Sequence, residues 1–360
     1  MSRRADDKNV QQRDESSGAR ASMRRGTAIV AVFLAAAYTA MILVADSRDL
    51  HAAWDRMEAH FLILPLIATF LSYLTMSFSY EGIVRAAGAS ISSRDMLRIT
   101  LVANTANYIF PTGGLSGFAF RLMFFTKRGI SAGTAVAISF TQTLLTNLML
   151  ILFVVYGMVN LLITGGIGGV SLVAASIATG VLSAGFLLLV LMIWIDEFRR
   201  RVVKTGARLV DRILERTRYH GRFAERAQHF FVHVEEGMAL CAGRPGAMVI
   251  PSLWIFLDWL CMMGALWLGF YATGREISFS LITIAFSISS IAAFISFIPA
   301  GAGVLEGALA GTLSGLGVPL GESLLPIVLY RFCYFIVPTI VSFFLAHGAF
   351  TGARTPEEIV

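Results

Sequence analysis

The sequence predicts an all-α integral membrane protein: six transmembrane helices and two re-entrant hairpins in an inverted repeat, with N and C termini cytoplasmic. Three observations predict it. Of the 360 residues 56% are hydrophobic, and the mean hydropathy is +0.72, which leaves little for a soluble domain. The 29 Lys and Arg residues are unevenly spread along the chain. And two apolar segments, one in each half, are broken in the same way.

The first 25 residues are polar, rich in Arg, Ser, Asp and Gln, and read as a disordered basic tail. The tail is too long for a signal-peptide n-region and no small-x-small cleavage site follows, so the first apolar run (27–45) is expected to remain as a span. A short loop with Asp46, Asp49, Asp55 and Glu58 leads to the second span, 61–80. Next comes Asn104 to Arg121, N-T-A-N-Y-I-F-P-T-G-G-L-S-G-F-A-F-R, interrupted by Pro111, Gly113 and Gly114. Its apolar legs (97–110 and 115–125) are each shorter than the roughly 20 residues a crossing needs. A polar break at membrane depth survives only where protein or a wet cavity meets it, so the segment reads as a hairpin that enters and leaves on one side. The third span is 131–162 and the fourth 171–195; the fifth is 247–271. The second broken segment, F-I-P-A-G-A-G at Phe297–Gly303, carries Pro299, Gly301 and Gly303 between legs at 279–298 and up to Gly315. A sixth span, 324–347, precedes a tail at 349–360.

Charge gives the orientation. Twenty-four Lys and Arg fall in the N-terminal tail, the 81–98 linker, the 127–128 pair, the 196–246 segment and the C-terminus. Only Arg48, Arg56 and Arg275 fall in the opposite loops, and Arg121 and Arg331 lie within apolar segments. The domain plan is therefore a membrane domain over 26–348, with a first repeat at 61–162, a cytoplasmic amphipathic segment at 196–246 and a second repeat at 247–348. Spans one and four stand outside the repeats. Paired broken helices in two inverted halves are a pointer to a transporter's binding site.

At each break the second half-helix begins with free N–H groups and a positive dipole end, a place where anions bind; helix bending for packing is the alternative. Asp258 lies about 16 Å into the fifth span, near the midplane, where an ionisable group is costly unless paired or hydrated. Arg121 and Arg331 could each grip a phosphate bidentately or snorkel to the nearer interface. Glu306 follows the second break, where it reads as a cap-proximal acid or a substrate-site residue, on a helix with Gly303, Gly307, Gly311 and Gly315 at four-residue spacing, a face that lets another backbone approach. Asn104, Asn107, Gln142 and Asn147 read as polar lining or interhelical contacts. Arg-rich helices within 196–244, with Val202, Val203, Leu209, Val210, Ile213 and Leu214 on the apolar side, suit anionic lipid head groups. Nucleic acid is not an expected partner.

Cys241, Cys261 and Cys333 are scattered and imply neither disulfide nor metal quartet. His229, His233 and Glu236 have ligand spacing, but a solvated helix surface suits them better. No nucleophile elbow, Walker loop or dinucleotide fingerprint occurs, so neither enzyme chemistry nor a cofactor is expected.

The pieces N-x-I-F-P-T-G-G-L-S-G (107–117, with Arg121 and K-R-G-I-S at 127–131) and I-P-A-G-A-G-V-L-E-G (298–307, with L-Y-R at 329–331) resemble the lysylphosphatidylglycerol synthase transmembrane-domain family, also called flippase-like. The resemblance runs from about residue 27 to 348, nearly the whole chain outside the tails, on short, glycine-dominated motifs. It implies a bacterial or archaeal multi-pass protein of the cytoplasmic membrane, associated with lipid translocation or modification. Some members join this module to a soluble aminoacyl-transfer domain; the chain ends soon after the sixth span, so aminoacylation by this chain alone is not expected. Some branches carry an acidic residue at the position of Phe118 and a basic one at that of Leu305, a departure that bears on substrate rather than fold. Together, residues and resemblance suggest a transporter of a polar, anionic or zwitterionic, phosphate-bearing lipid. Arg121 and Arg331 would be on the phosphate, with Asp258 as countercharge or proton-linked switch. The alternative is a non-transporting scaffold or accessory subunit for a lipid-modifying or glycosyl-transferring enzyme partner.

Overall fold

The computed structural model describes residues 55–110, 115–163, 245–296, 298 and 301–351, with scattered positions between 180 and 205 and at 243. The expected spans at 27–45 and 171–195, the two tails and most of the 196–246 segment lie outside or largely outside that set, as do Pro111, Gly113, Gly114 and Pro299.

Among the described residues every regular element is a helix and no strand occurs. A 3-10 turn, Ala59–Leu62, opens into α1, Ile63–Ala86. Then follow α2 (Ser93–Ile109), α3 (Leu115–Lys127), α4 (Ala132–Ile163), α5 (Pro245–Ala272), α6 (Phe279–Ser296), α7 (Val304–Gly315), α8 (Leu320–Arg331) and α9 (Val337–Thr351). A single π-helical turn, Phe332–Ile336, joins α8 to α9. Four stretches are long and apolar enough to cross a membrane: His60–Ala86, Ala132–Gly157, Gly246–Ala272 and Leu320–Leu345. The chain is thus a multi-pass membrane protein. Apolar side chains face both ways, as in helices that meet protein on one side and lipid on the other: Ile83, Phe270 and Phe286 are buried, while Phe70, Val249 and Phe344 are exposed.

Helices stop where the sequence breaks them. Ser92 caps α2 by accepting the Asp95 N–H at 3.2 Å, a standard use of serine at that position. The legs α2 and α3 pack against one another, as do α6 and α7. Each half then contributes its last span to the other half's hairpin: α4 packs on α6, and α9 packs on α2. Within each half, α3 packs on α4 and, correspondingly, α7 on α8, while α1 and α5 form the largest contact with each other. Close approach there requires glycine, since a Cβ on Gly82 would lie 2.8 Å from Pro251 Cγ.

The interior between these helices is polar for a membrane protein. Serine and threonine hydroxyls inside the bundle largely return to their own helix, as Ser77 to the Tyr73 carbonyl at 2.7 Å and Ser289 to that of Ala285 at 2.6 Å. This satisfies the hydroxyl without needing water. Among the described residues nothing lies within 4 Å of a Cβ placed on Gly307, Gly311 or Gly315, so none of the described helices is the one that approaches the glycine face of α7. Leu309, Ala310 and Leu313 of α7 are buried, and α7 packs on α6 and α8.

Candidate functional site: buried charges between the two hairpins

Among the described residues five charged side chains are buried: Glu81, paired with Arg85 toward one end, and, deeper in the bundle, Arg121, Asp258, Glu306 and Arg331, of which the last four concern the site. Two of them satisfy one another and two do not.

The second break carries the satisfied pair. Gly301 and Gly303 have φ of 60° and 82°, a region that glycine enters without the steric cost other residues meet. The backbone thereby turns into α7, whose N-terminus is capped by Glu306: its Oε2 accepts the Gly303 N–H at 2.8 Å. The other carboxylate oxygen forms an ion pair with the Arg331 guanidinium. Arg331 also reaches the Gly301 carbonyl at 3.5 Å and lies over the Phe335 ring at 4.4 Å. So the positive end of α7 is already met by a carboxylate of its own helix. Arg331 neither snorkels nor stands open; it locks the break to the π-helical turn.

The first break is capped differently. Asn107 accepts the Gly117 N–H at 2.6 Å, and Ser116 donates to the Ala106 carbonyl at 3.0 Å. Gly117 has no room for a side chain, since a Cβ would come within 2.5 Å of the Ala103 carbonyl oxygen. Asn107 is therefore a clasp of the hairpin. Asn104 contacts Met76 Sδ at 3.2 Å, and Gln142 accepts from Ser79 at 2.8 Å; both tie a neighbouring helix to α1. Asn147 turns back to the Thr143 carbonyl at 2.9 Å on an exposed face of α4.

Arg121 stands midway along α3 with its guanidinium 5.2 Å from the Tyr80 ring centre. It has no ion pair among the described residues, and its buried Nε lacks a hydrogen-bond acceptor. The residue that clasps its hairpin, Asn107, is neutral where Glu306 is acidic, so among the described residues no acid compensates its charge.

Asp258 is at the middle of α5. Neither arginine touches it. Its Oδ1 accepts a hydrogen bond from Ser72 of α1, and Ser72 is in turn 2.9 Å from the Tyr334 hydroxyl on the π-helical turn. Around it lies an aromatic cluster: Tyr73 and Tyr334 at 5.6 Å, Tyr330 and Tyr334 stacked at 5.4 Å, and Tyr108 stacked on Phe335 at 3.8 Å. Sequence reading missed Ser72 and these tyrosines. A signal was present, because tyrosine favours the membrane interface, and Tyr73, Tyr108, Tyr330 and Tyr334 stand well inside their apolar segments.

Ion pairs also close the ends. At one, Glu322 of α8 meets Arg275 at 2.7 Å and Arg56 at 3.2 Å. At the other, Asp95 in the first turn of α2 meets Arg128 at 3.1 Å, and Glu81 pairs with Arg85 and accepts from Ser93 at 2.9 Å. Partial burial works to raise the Asp95 carboxyl, but Arg128, Ser92 and Arg98 outweigh it and hold the group below its usual range. Among the described residues no three His, Cys, Asp or Glu side chains gather to hold a metal.

The chain matches the family described as the lysylphosphatidylglycerol synthase TM region over residues 26–342. It is 34% identical over 89 residues to the phosphatidylglycerol lysyltransferase of Staphylococcus haemolyticus, a stretch that makes up 25% of this chain and 11% of that protein. For the enzyme of the same name from Staphylococcus aureus the figures are 31% over 99 residues, 27% and 12%. For that of Staphylococcus epidermidis they are 30% over 94 residues, 26% and 11%. The alignments thus span 11–12% of these relatives' own length. With its family match running from residue 26 to residue 342, through both broken segments and through Arg121, Asp258, Glu306 and Arg331, the chain belongs to the lysylphosphatidylglycerol synthase transmembrane-region family.

Proposed function

We propose that this chain is a transporter that moves a phosphate-bearing polar lipid across the cytoplasmic membrane, rather than an enzyme. One observation carries the reading: Arg121 is buried and has no acidic partner among the described residues, whereas Arg331 is neutralised by Glu306. An uncompensated guanidinium inside a membrane protein is costly and marks a substrate or ion pathway. Its planar fork suits phosphate oxygens. A lipid would enter from the side, its phosphate against Arg121 and its chains in the bilayer, with Asp258 and Gln142 on the same interior.

The architecture supports transport. Contacts that interchange between the halves suit an inverted repeat of two re-entrant hairpins, six spans and cytoplasmic termini, in which one half rocks against the other. A second reading, a scaffold or accessory subunit for a lipid-modifying enzyme, is favoured by the relatives' name, phosphatidylglycerol lysyltransferase, and by the small share of their length that aligns. Reconstitution separates the two. Purified chain in vesicles carrying fluorescent phospholipids should exchange them between leaflets faster than protein-free vesicles do. Arg121→Gln should melt at or above the wild-type temperature while exchange falls toward background. Vesicles with wild-type protein as silent as empty ones would favour the scaffold.

A further inference from the structure

Besides Glu81, which pairs with Arg85 toward one end, the described bundle holds two buried acids, Glu306 and Asp258, and they are treated differently. Glu306 faces a guanidinium and a helix N-terminus. Asp258, as deeply placed, has only hydroxyl company: Ser72 on its Oδ1 and Tyr334 beyond. Titratable and polar groups approach it from several elements. From α1 come Ser72, Tyr73 and Tyr80; from α2, Tyr108; from α8 and the π-helical turn, Tyr330 and Tyr334; from its own helix, Cys261. The helices α4 and α6 also pack on α5, and their only titratable side chain is the exposed Tyr156. At the far end of α5 lie His60 and Glu322, the latter bound by Arg56 and Arg275. Arg331 is engaged by Glu306, and Arg121 lies over Tyr80. Among the described residues, then, no basic side chain forms an ion pair with Asp258.

A carboxylate this far from water must be matched by a cation or take up a proton. With no basic partner in the described bundle, the geometry points to Asp258 as a proton-binding site, with Ser72 and Tyr334 as its relay; its use in driving transport rests on the reading above, its existence does not. Ser72 has a single hydroxyl hydrogen. While that hydrogen is donated to the Asp258 carboxylate, Tyr334 donates to Ser72 Oγ. When hydronium gives one proton to the carboxylate and leaves as water, the new carboxyl O–H donates to Ser72, and Ser72 donates to Tyr334. Both hydrogen bonds reverse, the one O–H bond broken is that of the hydronium, and the site passes from one negative charge to neutral. Tyr334 sits on the π-helical turn that begins directly after Arg331. Turns of this kind are a known place for functional adjustment inside helices, and here the proton signal would arrive beside the Arg331–Glu306 lock on the second break.

The test is an infrared pH titration of the purified full chain in lipid nanodiscs, which needs no transport. The expected result is a protonated-carboxyl C=O band that grows as pH falls, is lost in Asp258→Asn, and shifts to higher frequency in Ser72→Ala because a hydrogen bond is removed. Asp258→Asn, which resembles the protonated form, should melt at or above the wild-type temperature. A titrating band that persists in Asp258→Asn, or a folded wild type with no difference from that variant at any pH, would overturn the proposal. In vesicles, imposed pH gradients should then alter wild-type lipid exchange and leave Asp258→Asn indifferent. Exchange by the wild type that ignores the gradient, beside an intact infrared signature, would instead separate the proton site from the transport cycle and overturn only the coupling.

Discussion

Residue chemistry separates roles that look equivalent along the chain. Arg121 and Arg331 both interrupt apolar segments, yet one is neutralised and the other is not. Glu306 does two jobs, capping α7 and pairing with Arg331. Glutamine can serve the same cap, so Glu306→Gln tests the charge without removing the cap. Breaking a buried pair leaves an uncompensated ion and typically costs about 3–5 kcal/mol. Glu306→Gln should therefore lower the melting temperature in detergent, and Glu306→Gln with Arg331→Gln should restore much of it. Asp258 is the contrasting case, since among the described residues no arginine pairs with it and removing its charge strands none of them. A rescue of Asp258→Asn by Arg331→Gln would contradict this assignment.

At the scale of elements, each hairpin is held by a clasp of its own sequence. Asn107 reaches from α2 to the start of α3, and the Gly117 position accepts nothing larger. The outer end of the same hairpin is fixed by Asp95, which joins the first turn of α2 to Arg128 before α4. Because the Asp95 carboxyl is held below its usual range, its contribution is present above the unfolded-state value and disappears as pH falls through the folded one. Asp95→Asn should thus lower the melting temperature modestly at neutral pH, and wild type and variant should converge in acid. Curves that stay equally separated across that range would show that the ion pair is not the cause.

At the scale of the whole molecule, the interchange of contacts between halves carries a topological prediction. In a background without Cys241, Cys261 and Cys333, single cysteines at Arg94 and Lys127 should both label from the cytoplasmic side. Cysteines at Ser278 and Gly317 should both label from the opposite side. If the two members of a pair label from different faces, that hairpin crosses the membrane and the inverted repeat is lost.

What the sequence by itself determined is most of the described elements: helix limits follow from apolar run length and from Pro, Gly and capping residues, all local in the chain, although the π-helical turn that divides the expected span 324–347 has no such local signal. The hairpin legs expected at 97–110 and 115–125 appear as Ser93–Ile109 and Leu115–Lys127, and those around the second break as Phe279–Ser296 and Val304–Gly315. The four charges that matter were legible too, because each violates the apolar rule of its segment. Partnership was not legible. Nothing in the spacing says that Arg331 goes to Glu306 rather than Asp258, or that Ser72 and Tyr334, which lie 262 positions apart, complete the Asp258 environment. Nor does a four-residue glycine pattern reveal whether it faces a helix or, as among the described residues, open space. Those choices depend on how α1, α5, α8 and the π-helical turn are rotated against one another. Only tertiary packing sets that rotation, because a helix presents every side to some neighbour and its own sequence does not name which.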